Sequence, residues 1–153
     1  MKIAAGWDHH GRAFRDAIRR ILSELGHEMI DLGSGGEGPS DYPDFAFRVG
    51  EAVAASDADR GILVCGSGIG MSIAANKVAG VRAGLVEDET TARLSRAHND
   101  TNVLCLSERT ARDEPLMRKL IETWLATPFD LGGRHERRVG KITRYEQDHD
   151  KSS

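Results

Sequence analysis

The sequence predicts a three-layer α/β/α domain built on a five-stranded parallel sheet. Short apolar runs alternate along the chain with stretches of helical periodicity, as repeated β–α–β units do. One of these runs, "GILVC" at residues 61–65, is apolar throughout, as expected of a strand covered by helices on both faces. The chain's 153 residues, 39% hydrophobic and 29% charged, are enough for one core of ordinary size.

Residues 2–6, "KIAAG", read as the first strand. A helix follows over 12–25, with Phe14, Ala17, Ile18, Ile21, Leu22 and Leu25 on one face and Gly26 as its stop. "HEMIDLG" (27–33) is the second strand. "GSGGEGPS" (33–40) is a flexible loop that interrupts the alternation without opening a second core. The segment 41–56 carries Phe45, Val49, Ala52 and Val53 at helical spacing. "GILVC" is the third strand, and a helix begins near Ile69. "VRAGLV" (81–86) is the fourth strand, "ETTARLSRAH" (89–98) a short helix, and "NVLCLS" (102–107) the fifth strand. Residues 114–126 place Leu116, Leu120, Ile121, Trp124 and Leu125 on one helical face. The polar tail 132–153 opens with a glycine pair and reads as a helical arm leaving the body, with Arg134 and Arg138 one turn apart. No repeat or low-complexity segment divides the chain.

Composition excludes several function classes. A net charge of −3 offers no basic field for nucleic acid, and the basic run in the tail is too short to supply one. No apolar run approaches the ~20 residues of a membrane span. The start "MKIAAGWDHHGR" reaches Asp8 too soon for the apolar core of a signal peptide. Two cysteines, Cys65 and Cys105, are too few for a disulfide framework and fit a reducing cytoplasm.

The chemistry centres on "GILVCGSGIGMSIAANK" (61–77), where Cys65 ends a strand and Gly66, Gly68 and Gly70 open the next helix. Glycines let the backbone turn sharply and aim several N–H groups at one point, and helix starts attract negative charge. The loop is therefore an anion cradle with a thiol at its rim. Three familiar motifs each fail by one residue. A P-loop needs a lysine where Ser67 stands, a dinucleotide fingerprint needs a glycine where Met71 stands, and a cysteine phosphatase needs an arginine at that same position. Taken alone, the loop is explained equally well as a tight turn beside a buried cysteine.

Other polar clusters shift that balance. "GWDHHG" follows the first strand and supplies Asp8, His9 and His10 at the same sheet edge, although an Asp capping a helix beside two exposed histidines is the plainer explanation. "SRAHNDTN" precedes the fifth strand with His98, Asn99 and Asp100, which could equally form a polar turn. Arg134 and Arg138 could equally be a solvated basic face.

Together, "KIAAGWDHHG", "GHEMIDLG", "SDYPDFA", "CGSGIGMSIAANK", "LSRAHND" and "GGRHERRV" resemble, in order and over nearly the whole chain, the ribose-5-phosphate isomerase B family, which also holds the galactose-6-phosphate isomerase subunits. The resemblance implies a Rossmann-like fold and aldose–ketose isomerisation, here of ribose 5-phosphate and ribulose 5-phosphate, with no metal and no organic cofactor. It implies Cys65 as the base, with Ser67 bonding near it. A helix start is a setting that makes thiolate available. His98 corresponds to the ring-opening histidine, with Asp8 able to polarise a sugar hydroxyl or share that proton, and Tyr42 borders the sugar. Backbone N–H groups of Gly66, Gly68 and Gly70 with the Asn99 side chain correspond to the oxyanion hole. His9, Arg109, Arg134 and Arg138 are the phosphate ligands, and the arm's arginines reach a neighbouring subunit's site. A homodimer, or a tetramer built from one, is therefore expected.

A branch of the family uses a Glu as base where this chain has Met71, so the presence of Cys65 selects the cysteine branch. Trp7 and His10 replace smaller residues beside the sugar, and "VEDETT" (86–91) also departs from the family's commoner run. Trp7 could narrow the site or pack under the sheet. The rival functions are the same chemistry on a tetrose, allose or galactose phosphate, a phosphate-binding regulatory module without catalysis, and a thiol redox protein pairing Cys65 with Cys105.

Overall fold

The computed structural model describes residues 1–36 and 38–150. Glu37 of the 33–40 loop and residues 151–153 of the arm lie outside the described residues. The elements run β1 (Lys2–Trp7), a 3-10 turn (Arg12–Phe14), α1 (Arg15–Glu24), β2 (Glu28–Asp31), α2 (Tyr42–Ala54), β3 (Arg60–Cys65), α3 (Ile69–Ala75), β4 (Ala83–Leu85), α4 (Glu89–Asn99), β5 (Val103–Ser107), α5 (Glu108–Arg112), α6 (Glu114–Ala126) and α7 (Arg134–Asp148). The five strands form one parallel sheet in the order β2-β1-β3-β5-β4.

Side chains alternate between the two faces of each strand, and the core divides accordingly. Ile3, Ala5 and Trp7 of β1, Ile62 and Val64 of β3, and Leu104 and Leu106 of β5 pack with α1 and α6. Ala4, Leu63, Cys65, Val103 and Cys105 face the other way and pack with α2 and α3. This is the expected three-layer arrangement. It settles Trp7, which is fully buried in the α1/α6 layer, its indole N–H donating to the Ser34 carbonyl at 3.3 Å. Trp7 packs beneath the sheet, on the face opposite Cys65.

Several elements are shorter than the sequence expectation, with β2 at Glu28–Asp31, β4 at Ala83–Leu85 and α1 starting at Arg15 after a 3-10 turn. α5, "ERTAR", has no apolar period and no element is expected there from sequence. It forms because the Ser107 hydroxyl caps it, accepting the Thr110 N–H at 3.1 Å. The arm lies along its own chain. α7 buries Val139, Glu146 accepts the Gly80 N–H at 2.9 Å, and His135 stacks on His98. Among the described residues, no helix is long and apolar enough to cross a membrane.

The sheet order places the site. From β1 the chain turns outward to β2, whereas β3 continues toward β5 and β4. The carboxyl ends of β1 and β3 therefore flank the point where strand order reverses, which is where open α/β sheets bind ligands.

Candidate active site

Cys65 is the last residue of β3, paired in register with Ser107 of β5, and its side chain faces the α2/α3 layer. Its Sγ accepts the Gly68 N–H at 3.2 Å. Gly68 has φ of +76°, and a Cβ there would stand 2.6 Å from Leu85 Cδ1 and 3.0 Å from the Leu106 carbonyl carbon. Both the backbone sign and the space require glycine. Gly70 is required for a different reason, since a Cβ there would meet the Tyr42 ring at 2.5 Å. The aromatic ring thus lies directly over the glycine loop. Ser67 is exposed, its Oγ accepting the Ile69 N–H at 3.2 Å. The loop is tied to α5 by the Glu108 N–H, which donates to the Gly66 carbonyl at 3.1 Å.

A cleft of about 550 Å³ opens over this loop, a size suited to a small metabolite. It gathers Asp8, His9, Tyr42, Cys65, Gly66, Ser67 and Gly70, together with His10 and Ser40. Asp8 is buried and accepts the His10 N–H at 2.9 Å. His9 Nδ1 lies 3.1 Å from Ser40 N and 3.2 Å from Ser40 O. The amide hydrogen is fixed by the backbone and points at the ring, so Nδ1 accepts it and Nε2 carries the ring hydrogen. Arg109 is exposed on α5 at the same sheet edge, lining a neighbouring hollow with Glu87 and Asp113.

His98 and Asn99 do not join this cleft. They end α4, and the chain then enters β5 from its amino end, whereas Cys65 is level with the carboxyl end of β5. The length of β5, roughly 13 Å at ~3.3 Å per residue, separates the two edges. A second cluster forms there. His98 stacks on His135 with ring centroids 3.9 Å apart and planes within 8°. Arg134 and Arg138, both exposed, flank His135 along α7. Desolvation, then the neighbouring His98 and Arg134, hold the His135 imidazole below its ordinary range, with Asp130 opposing. The end of α4 is fixed by Arg96, which donates to Asp100 Oδ1 at 2.8 Å and to the Thr101 carbonyl at 2.6 Å, and by Arg82, which donates to Asp100 Oδ2 at 3.1 Å. His135 had no role in the sequence reading, although it stands between the two arginine positions in "GGRHERR".

Two polar trios, Asp8, His9 and His10 in the cleft and His98, Asp130 and His135 at the other sheet edge, each bring three side-chain ligand atoms within 4.8 Å of one another.

Cys105 is fully buried, and burial, reinforced by nearby Cys65, pushes its thiol well above the usual range. It pairs with Leu63, two residues before Cys65. The two Cα atoms are then roughly 8 Å apart by strand spacing, beyond disulfide reach. We expect Cys105→Ser to keep turnover within about threefold while lowering Tm by a few degrees, the cost of an unpaired hydroxyl in an apolar strand. A large rate loss at unchanged Tm would instead favour a redox pair.

The family described as Ribose/Galactose Isomerase matches residues 3–142. A curated relative, ribose-5-phosphate isomerase B of Escherichia coli (strain K12), is 46% identical over 146 residues, covering 95% of this chain and 97% of its own. A solved structure, the type B ribose 5-phosphate isomerase of Trypanosoma brucei, is 48% identical with a TM-score of 0.91, covering 95% of this chain and 98% of its own. Ribose-5-phosphate isomerase B of Mycoplasma genitalium, solved with bound ribulose-5-phosphate, is 44% identical with a TM-score of 0.89, covering 96% and 97%.

Proposed function

The chain belongs to the ribose/galactose isomerase family, and on that premise we propose that it interconverts ribose 5-phosphate and ribulose 5-phosphate through an enediolate. It is a sugar-phosphate aldose–ketose isomerase. The observation that carries the mechanism is a thiol at the floor of an open cleft, at the mouth of a glycine loop whose Gly68 N–H points at the sulfur. Isomerisation takes a proton from a carbon next to a carbonyl and returns it to the neighbouring carbon. One base must reach both carbons, and donors must meet the oxygen on which charge develops. Cys65 is the base, with Ser67 beside it. The N–H groups of residues 66–70 are the donors. Asp8 polarises a sugar hydroxyl, Tyr42 borders the sugar, and His9 and Arg109 serve the phosphate.

A second copy of the chain completes the site with His98 to open the sugar ring, Asn99 for the oxyanion, and Arg134 and Arg138 for the phosphate. What supports this is topology. One chain holds its two polar clusters at opposite edges of its sheet, so they can converge only between copies. The exposed apolar side chains of Ile69 and Ile73 on α3, and of Ile142 and Tyr145 on α7, are surface that a partner would cover. On this reading residues 1–153 form one isomerase domain whose arm, about 132–153, serves the partner, in a dimer or a tetramer built from dimers. Two free, buried cysteines suit the cytoplasm.

The test is turnover on four- to six-carbon aldose phosphates with a metal chelator present. We expect ribose 5-phosphate to lead in kcat/KM by about tenfold or more, the scale on which a pocket senses one carbon. A better tetrose or hexose phosphate would reassign the substrate, and loss of activity to the chelator would contradict a metal-free mechanism.

A further inference from the structure

His10 lines the cleft beside Gly66, yet the mechanism above gives it no work. Its Nδ1 lies 3.4 Å from Glu108 Oε2. Glu108 is anchored twice, by Arg112 Nη2 at 2.5 Å from Oε1 and by its own N–H on the Gly66 carbonyl at 3.1 Å. The contact is longer than a hydrogen bond, but a carboxylate offers no hydrogen and repels a lone pair, so Nδ1 of His10 carries the ring hydrogen. Nε2 has no partner among the described residues. In the neutral ring Nε2 is therefore a lone pair, which repels an anion. In the protonated ring it is a charged donor.

His9 is the reverse. Its ring centroid is 4.2 Å from that of His10, but its Nδ1 accepts from Ser40, so its Nε2 carries a hydrogen even when neutral. Two adjacent imidazoles thus stand in opposite tautomers at one cleft rim.

We propose that His10 is a ligand for the substrate's phosphate that acts only when protonated, and that Glu108 is its positioning residue. The identity of the phosphate group rests on the isomerase reading. The charged surroundings fit a conditional donor. Asp8 and His9 adjoin His10 in the chain, Cys65 shares the cleft floor, Asp41 at the cap of α2 with Tyr42 and Asp44 lines the same cleft, Glu108 of α5, paired with Arg112, faces His10, and Arg109 of α5 lines the neighbouring hollow. With Asp8, Asp41, Asp44 and Glu108 near the cleft, a dianion gains from a positive charge at its rim. Charging His10 supplies one, with one N–H for Glu108 and the other for the anion.

The test is calorimetric titration of the whole protein with sulfate, whose own charge is constant across the range. Affinity should fall about tenfold from about pH 6 to about pH 8.5, the scale of one charged hydrogen bond. His10→Ala should bind about tenfold more weakly at the acid end and show no slope. Glu108→Asp, too short to reach Nδ1, should resemble His10→Ala. Glu108→Gln, whose amide oxygen can still face Nδ1 without the charge, should recover part of the slope. His9→Gln should bind more weakly with the slope intact. Parallel slopes in wild type and His10→Ala, or a flat wild type, overturn the proposal. A chain that fails to isomerise ribose 5-phosphate would refute the isomerase reading and leave this titration decisive, because calorimetry needs no turnover.

Discussion

Cys65→Ala is expected to lose turnover by at least ~10²–10⁴-fold, the usual contribution of a positioned proton-transfer group, while still binding sugar phosphate. The substitution removes the sulfur and leaves its surroundings intact. Gly68 keeps its left-handed turn, because Leu85 and the Leu106 backbone fix it from the other side. The carbonyl of Gly66 stays bonded to the Glu108 N–H. Donors and walls survive, so binding survives, and what disappears is the one group able to accept the carbon-bound proton. The effect should fall on kcat and kcat/KM together. A mutant with near-normal kcat would place the base elsewhere in the cleft.

The double mutant Arg134→Ala, Arg138→Ala is expected to raise KM for ribose 5-phosphate by roughly 10²–10⁴-fold, from two hydrogen bonds to a charged group at about 1.5–3 kcal/mol each. The two guanidinium groups lie one turn apart on α7, both exposed, and among the described residues neither makes an ion pair with its own chain. They are therefore available to an incoming anion without breaking existing bonds. kcat should change less, because the phosphate is remote from the carbons that exchange the proton. An unchanged KM would mean that the phosphate is held by His9 and Arg109 alone.

Much of the architecture was legible because parallel strands advertise themselves. "GILVC" is apolar on both faces, and each helical face is marked by spacing such as Ile18, Ile21 and Leu22. The short α5 was not legible, since a helix made by one Ser107 cap leaves no period to read. The Cys65 loop stood out because glycine at positions 66, 68 and 70 is chemically unusual in a helix start. Trp7 could not be placed from sequence, because one step in strand register moves a side chain to the other face. The separation of His98 from Cys65 was readable in principle. One residue precedes a strand and the other ends one, and in a parallel sheet those are opposite edges. The pairing of His10 with Glu108 was beyond reach, because it joins the loop after β1 to the start of α5 with no shared sequence pattern.

The central claim is that each site combines the Cys65 cleft of one copy with the His98 and arm residues of another. The most direct measurement mixes two inactive proteins, Cys65→Ala and Arg134→Ala, Arg138→Ala, and allows subunits to exchange. A mixed pair with sites shared between copies carries one doubly defective site and one intact site. Random exchange makes about half the pairs mixed, so activity should return to about a quarter of wild type. If each chain completed its own site, every site in the mixture would carry one defect. No recovery despite mixed pairs seen by mass spectrometry would contradict the shared site.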